Sequence, residues 1–101
     1  MEYLSNLINI CNLFKQGNFE IEEFQSRIST SMIPDEASKE FTAELIKFDN
    51  QIETIIFSKG VIAGRKDANE AADKLIHATL TEQERLKKYS PYKLVQDEPT
   101  D

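Results

Sequence analysis

Leu4, Leu7, Ile8, Cys11 and Phe14 recur at intervals of three and four residues, the spacing of one helical face. They predict a first helix from about Glu2 to Lys15. Gly17-Asn18 follows as a C-cap and turn, since both residue types tolerate positive φ. A second helix begins near Phe19 or Glu20, with Ile21, Phe24, Ile28 and Met32 as its apolar stripe. Ile33-Pro34 ends it, because proline disfavours helix in the residue before it. The run Ser29-Thr30-Ser31 predicts a frayed last turn.

The third helix has the clearest pattern. Phe41, Leu45, Phe48, Ile52 and Ile55 or Ile56 hold a 4-3-4-3 spacing, and neither proline nor glycine interrupts Asp35 to Lys59. Asp35 or Ser38 can cap its start. Gly60-Val61-Ile62-Ala63-Gly64 breaks the pattern and reads as a turn. Asp67-x-x-Glu70 is a capping box for a fourth helix running to about Leu80, with Ala68, Ala71, Ala72, Leu75, Ile76 and Thr79 inward. Thr81-x-x-Glu84 is a second capping box, so either a short fifth helix, Glu82 to Tyr89, or a kink is expected. No strand pattern emerges. The expected fold is all-α, an antiparallel four-helix bundle over residues 1–89, with a mobile tail over 90–101.

Size and composition agree with one domain and one core: 101 residues, 40% of them apolar. No apolar run is long enough to span a membrane. The opening residues lack a basic n-region and a cleavage site, so they read as mature structure. The single cysteine, Cys11, has no intramolecular disulfide partner, which favours a reducing cytoplasm.

Charge changes the picture more. Residues 18–53 carry nine acids against three bases, which accounts for the whole net charge of −6. The remainder balances at nine against nine. Such a chain repels nucleic-acid phosphates and suits a basic protein partner. On a helical wheel of the third helix, Glu36, Glu40 and Glu44 fall on one flank of the apolar stripe, and Asp49 and Glu53 on the other. Those five, with Glu20 and Glu23, are the candidate partner-binding residues.

Catalytic chemistry has little to work with. His77 is the only histidine and falls opposite Ala68 and Leu75, on a solvated face. One histidine and one cysteine make neither a transition-metal site nor a nucleophilic triad. Phosphate-binding glycine loops and EF-hand loops are also missing. No enzyme activity, cofactor or metal is expected. Arg65-Lys66 and Arg85-x-Lys87-Lys88 read as self-neutralising surface patches. The six phenylalanines fall mostly at core positions, and Phe57, off the third helix's stripe, is expected to pack under the Gly60 turn. Tyr89 and Tyr92 are candidate partner anchors.

Leu7, Cys11, Leu13, Phe14, Gly17, Glu23, Phe24, Arg27 and Ile28 form the pattern L-x-x-x-C-x-L-F-x-x-G-x-x-x-x-x-E-F-x-x-R-I. This resembles the opening of the colicin D-type immunity family, small bacterial self-protection proteins, over about the first third of the chain. The resemblance implies a four-helix bundle that binds a cognate basic nuclease toxin one-to-one, typically a transfer-RNA-cleaving domain, and blocks its active site. The carboxylates would then stand in for phosphates. Two alternatives share parts of the pattern. A phage-type inhibitor of a host nucleic-acid-binding enzyme would use the same acids. A homodimeric helical interaction module would instead use off-stripe apolar residues such as Ile46 and Phe57.

Overall fold

The computed structural model describes residues 2–89. The expected tail, with Tyr92, lies outside the described residues, as does the side chain of Tyr89. Among the described residues the chain is all-helical: α1 (Glu2–Lys15), α2 (Ile21–Ser29), α3 (Lys39–Ala63) and α4 (Arg65–Tyr89). α1 packs on α2 and α4, and α3 packs on α2 and α4. Every helix therefore has two main neighbours, and the apolar stripes close on one core.

The first two helices end for local reasons. Gly17 takes φ +92°, a conformation that costs a side-chain-bearing residue strain, and its N–H bonds the Phe14 carbonyl. Arg65 reaches back from α4, donating to the same carbonyl at 2.7 Å and lying 4.4 Å over the Phe14 ring. It is a second donor to a carbonyl that already accepts from Gly17 at the end of α1, so Arg65 is a structural clamp more than a surface charge. α2 stops at Ser29, earlier than its stripe suggests. The hydroxyls of Ser29 and Thr30 take the Ser26 carbonyl, and that of Ser31 takes the Arg27 carbonyl. These side chains compete with the helical ladder, and Met32 is left exposed rather than on an inner stripe.

The core is built on an aromatic column. Phe14 and Phe24 stack with centroids 4.1 Å apart, and Phe48 meets Phe24 edge-on at 5.4 Å. Ile21, Leu4, Leu7, Cys11 and Ile52 are completely buried around it. In α1, Ile10 is buried while Ile8 is only half-buried.

α3 begins later than its pattern suggests. Pro34 to Ala37 form a turn closed by the Ala37 N–H on the Pro34 carbonyl, and Ser38 is the N-cap, its hydroxyl accepting from Phe41 N–H at 3.0 Å. Asp35 and Glu36 therefore lie in the turn, and Glu36 does not share a helical flank with Glu40 and Glu44. Near its far end α3 kinks at Gly60, whose φ of +83° and ψ of +173° are essentially confined to glycine. Phe57 does not pack under this turn: it is 94% exposed, and Ile62 is 86% exposed. The non-helical dihedrals of Gly60 break the helical phase, so residues 61–63 do not continue the α3 stripe.

Gly64 makes the tight passage into α4. A Cβ there would lie 2.5 Å from Ile55 Cγ2 and 2.7 Å from the Gly60 carbonyl oxygen. The second atom is backbone and cannot swing aside. Gly64→Ala should therefore cost about 1–3 kcal/mol, read as a lowered urea midpoint. A loss below about 0.5 kcal/mol, the scale of a neutral surface change, would mean that the passage is looser than described.

α4 starts at Arg65 and runs unbroken to Tyr89. Neither expected capping box is used. Asp67 instead pairs with Lys59 at 2.6 Å across the kink. Residues 81–84 continue the helix because the inner stripe continues through them: Ala68, Ala71, Ala72, Leu75, Thr79, Glu82 and Leu86 are all buried. Among the described residues there is neither a fifth helix nor a kink at Thr81.

Candidate functional site

The seven acids singled out by the sequence do not form one patch. Glu20 is the N-cap residue of α2 and makes no side-chain cap bond. Glu23, one turn along, binds Arg27 at 2.8 Å, and the Arg27 guanidinium lies 4.3 Å over Phe19. Glu36 sits in the turn before α3, where its carbonyl accepts from Arg85 at 2.9 Å. Asp49 is half-buried on the α2 side of α3 and accepts from Gln25 at 3.2 Å. Glu53 is exposed further along α3. Only Glu40 and Glu44 come together, on the side of α3 that faces α4.

There they line a groove of about 910 Å³ between α3 and α4. Phe41 and Ala78 supply apolar surface. The α4 wall carries Asp73, Lys74, His77 and Thr81, with Glu82 and Arg85 at one end. Lys74, Ala78, Thr81 and Arg85 follow one another at helical spacing, so one face of α4 forms the wall. On this face two short side chains, Ala78 and Thr81, stand between the long Lys74 and Arg85. Four acids and two bases line it, with His77 exposed beside them.

One of the two bases, Arg85, is committed within the fold. Glu82 has a side chain only 5% exposed. Its carboxylate accepts from the Ser38 N–H at 2.7 Å, the Ser38 hydroxyl at 3.0 Å, and Arg85 at 2.9 and 3.2 Å. Hydrogen bonding to Arg85 outweighs burial and holds this carboxyl below its ordinary value. Arg85 in turn ties down the Glu36 carbonyl. The cluster caps α3 and fastens the α2–α3 connection to α4. Asp73 pairs with Lys15 of α1. Glu44 has a loose contact with Lys47 at 3.5 Å, and Glu40 has no ion-pair partner among the described residues.

Asp73, Lys74 and the Glu82 cluster escaped the sequence reading for one reason. Splitting α4 at the Thr81 capping box hides the face that carries Lys74, Ala78, Thr81 and Arg85. It also hides that Glu82 falls on the inner stripe, four before Leu86 and three after Thr79. A carboxylate on a core stripe was the available signal.

The one cysteine lies outside the groove. Cys11 is fully buried, and burial pushes its thiol up to about 12, so it stays protonated and shielded. Among the described residues no group of three or more His, Cys, Asp or Glu side chains is placed to hold a metal ion. No described helix is long and apolar enough to cross a membrane. Elsewhere, Ile28, Ile33, Leu45 and Ile46 line a smaller hollow of about 280 Å³ on the α2 side of α3. No family model, no curated protein and no solved structure matches the chain.

Proposed function

We propose that this protein is an immunity-type inhibitor that binds a basic nuclease domain one-to-one in the cytoplasm and shields its nucleic-acid site. The observation that carries the reading is the confinement of the whole net charge of −6 to residues 18–53, which supply two acids, Glu40 and Glu44, to a groove. Carboxylates held on a rigid helix can occupy positions where a nuclease expects phosphates, and complementary charge speeds encounter. The resemblance of the first two helices to the colicin D-type immunity family supports the same reading. So does the pairing of Ser38 with Glu82 and of Lys59 with Asp67, which favours an antiparallel bundle.

Co-purification with the product of the adjacent upstream gene, at low and high salt, tests this. The expected result is a one-to-one complex that abolishes RNA cleavage and weakens steeply with salt. An absence of any complex with a nuclease would overturn it.

A homodimeric module remains as a second reading because Phe57 and Ile62 are almost fully exposed and Ile46 is 59% exposed. It predicts a mass that rises with concentration and is indifferent to salt.

A further inference from the structure

We infer that the α3/α4 groove receives a single amphipathic segment of the basic partner. An apolar side chain of that segment sits against Phe41 and Ala78, and its lysines or arginines meet Glu40 and Glu44. This rests on the inhibitor reading above and assigns its contact to one groove and one chemistry, in place of a broad acidic face.

Three observations carry it. The first is shape. A groove of about 910 Å³ between two helices accepts one row of side chains, as in helix-in-groove recognition. A flat phosphate-like surface needs no such cleft. The second is its lining. Phe41 and Ala78 provide apolar contact beneath charged walls, which suits a segment with both an apolar and a charged face. The third is the charge left over after internal pairing. Glu82 and Arg85 neutralise each other and hold the Ser38 cap. Asp73 is taken by Lys15, so what remains in the groove is Glu40 and Glu44 against Lys74. Glu40 has no internal ion pair, and Glu44 only a long one. The smaller hollow beside Ile46 is lined by a single acid, Asp49, which already accepts from Gln25. The exposed Phe57 lines neither cavity.

The decisive comparison is between two charge reversals of equal size. E40K/E44K alters the groove, and E20K/E23K alters α2. The probe is a helical peptide of about 14 residues with leucines at three-and-four spacing flanked by arginines. Affinity is read by anisotropy, and position by amide shifts of the full chain. Shifts should centre on Phe41, Glu44, Ala78 and Thr81. E40K/E44K should weaken binding about tenfold or more, and E20K/E23K less than about twofold. A78W, which fills the groove without changing charge, should also weaken it about tenfold, as should replacing the leucines by serines.

Equal weakening by the two reversals would reduce the effect to net charge and overturn the inference. So would shifts centred on Phe57 and Ile62, or no binding at all. Self-association through the same groove in peptide-free protein would overturn it in favour of a second copy. The two proposals fail separately. A nuclease complex whose contact lies outside the groove removes this inference alone, and peptide capture by the groove without any nuclease partner removes the inhibitor reading alone.

Discussion

Phe24→Ala should nearly unfold this protein. The ring is completely buried, stacked on Phe14 at 4.1 Å and met edge-on by Phe48 at 5.4 Å. Truncation removes its apolar area and leaves a cavity between three helices, at a cost of about 3–5 kcal/mol. For a domain of this length that is roughly a 15–30 °C fall in Tm. Small domains typically have about 5–15 kcal/mol in all, so little margin remains. Phe24→Leu separates the contributions. It keeps most of the volume and loses the ring geometry, worth about 0.5–1.5 kcal/mol for an aromatic pair beyond its area. Thermal melts of the two variants check this. A loss below about 1.5 kcal/mol for the alanine variant would mean that the column is not the centre of the core.

Glu82→Ala should be the most damaging change of a charged residue, costing about 2–3 kcal/mol. Its carboxylate answers the N–H and hydroxyl of Ser38 and the guanidinium of Arg85. Removing it orphans the N-cap backbone N–H and takes from Arg85 its bonds to Glu82, leaving the one to the Glu36 carbonyl in place. Glu82→Gln keeps an acceptor for Ser38 but presents an amide to Arg85, so its loss should be smaller, about 1 kcal/mol. The pH dependence carries the sign. The folded carboxyl is held below its ordinary value. Its contribution is therefore complete above the unfolded glutamate value of about 4.3 and is lost as pH falls through the lower folded value. Wild-type stability should decline in that acidic window more steeply than that of Glu82→Gln. Parallel profiles from urea titrations at pH 2 to 6 would show that Glu82 is not the group responsible.

The elements that were legible from the sequence were those whose stripes are local. The bounds of α1 and the glycine turn at Gly17 follow from spacing and from φ alone. The start of α3 was legible only as a choice between Asp35 and Ser38, because both can cap. A carboxylate 44 residues away, Glu82, binds Ser38, and that long-range contact is invisible to a window of local sequence. The end of α2 shows the opposite: Ser29, Thr30 and Ser31 signalled fraying, and their hydroxyls do bond the last carbonyls of the helix, that of Ser26 alongside its helical bond from the Thr30 N–H. α4 was misread because a capping box is a sufficient sequence pattern but not a necessary helix start, and tertiary burial of Thr79, Glu82 and Leu86 overrode it. Of the candidate site, Glu40 and Glu44 were legible as a flank of α3. The opposing wall was not, since helical phase on one element says nothing about which element faces it.

Ser5 near the start of α1 accepts from Gln83 near the end of α4 at 3.2 Å. The two ends of the described chain therefore meet at one pole of the molecule. Closing that seam spans 78 residues and carries the largest chain-entropy penalty of the inter-helix hydrogen bonds, whereas α3 and α4 close across a single glycine turn. A circular permutant opened at Gly17, with residue 89 linked to residue 2, would convert that most distant seam into a neighbouring hairpin and leave the groove between α3 and α4 intact.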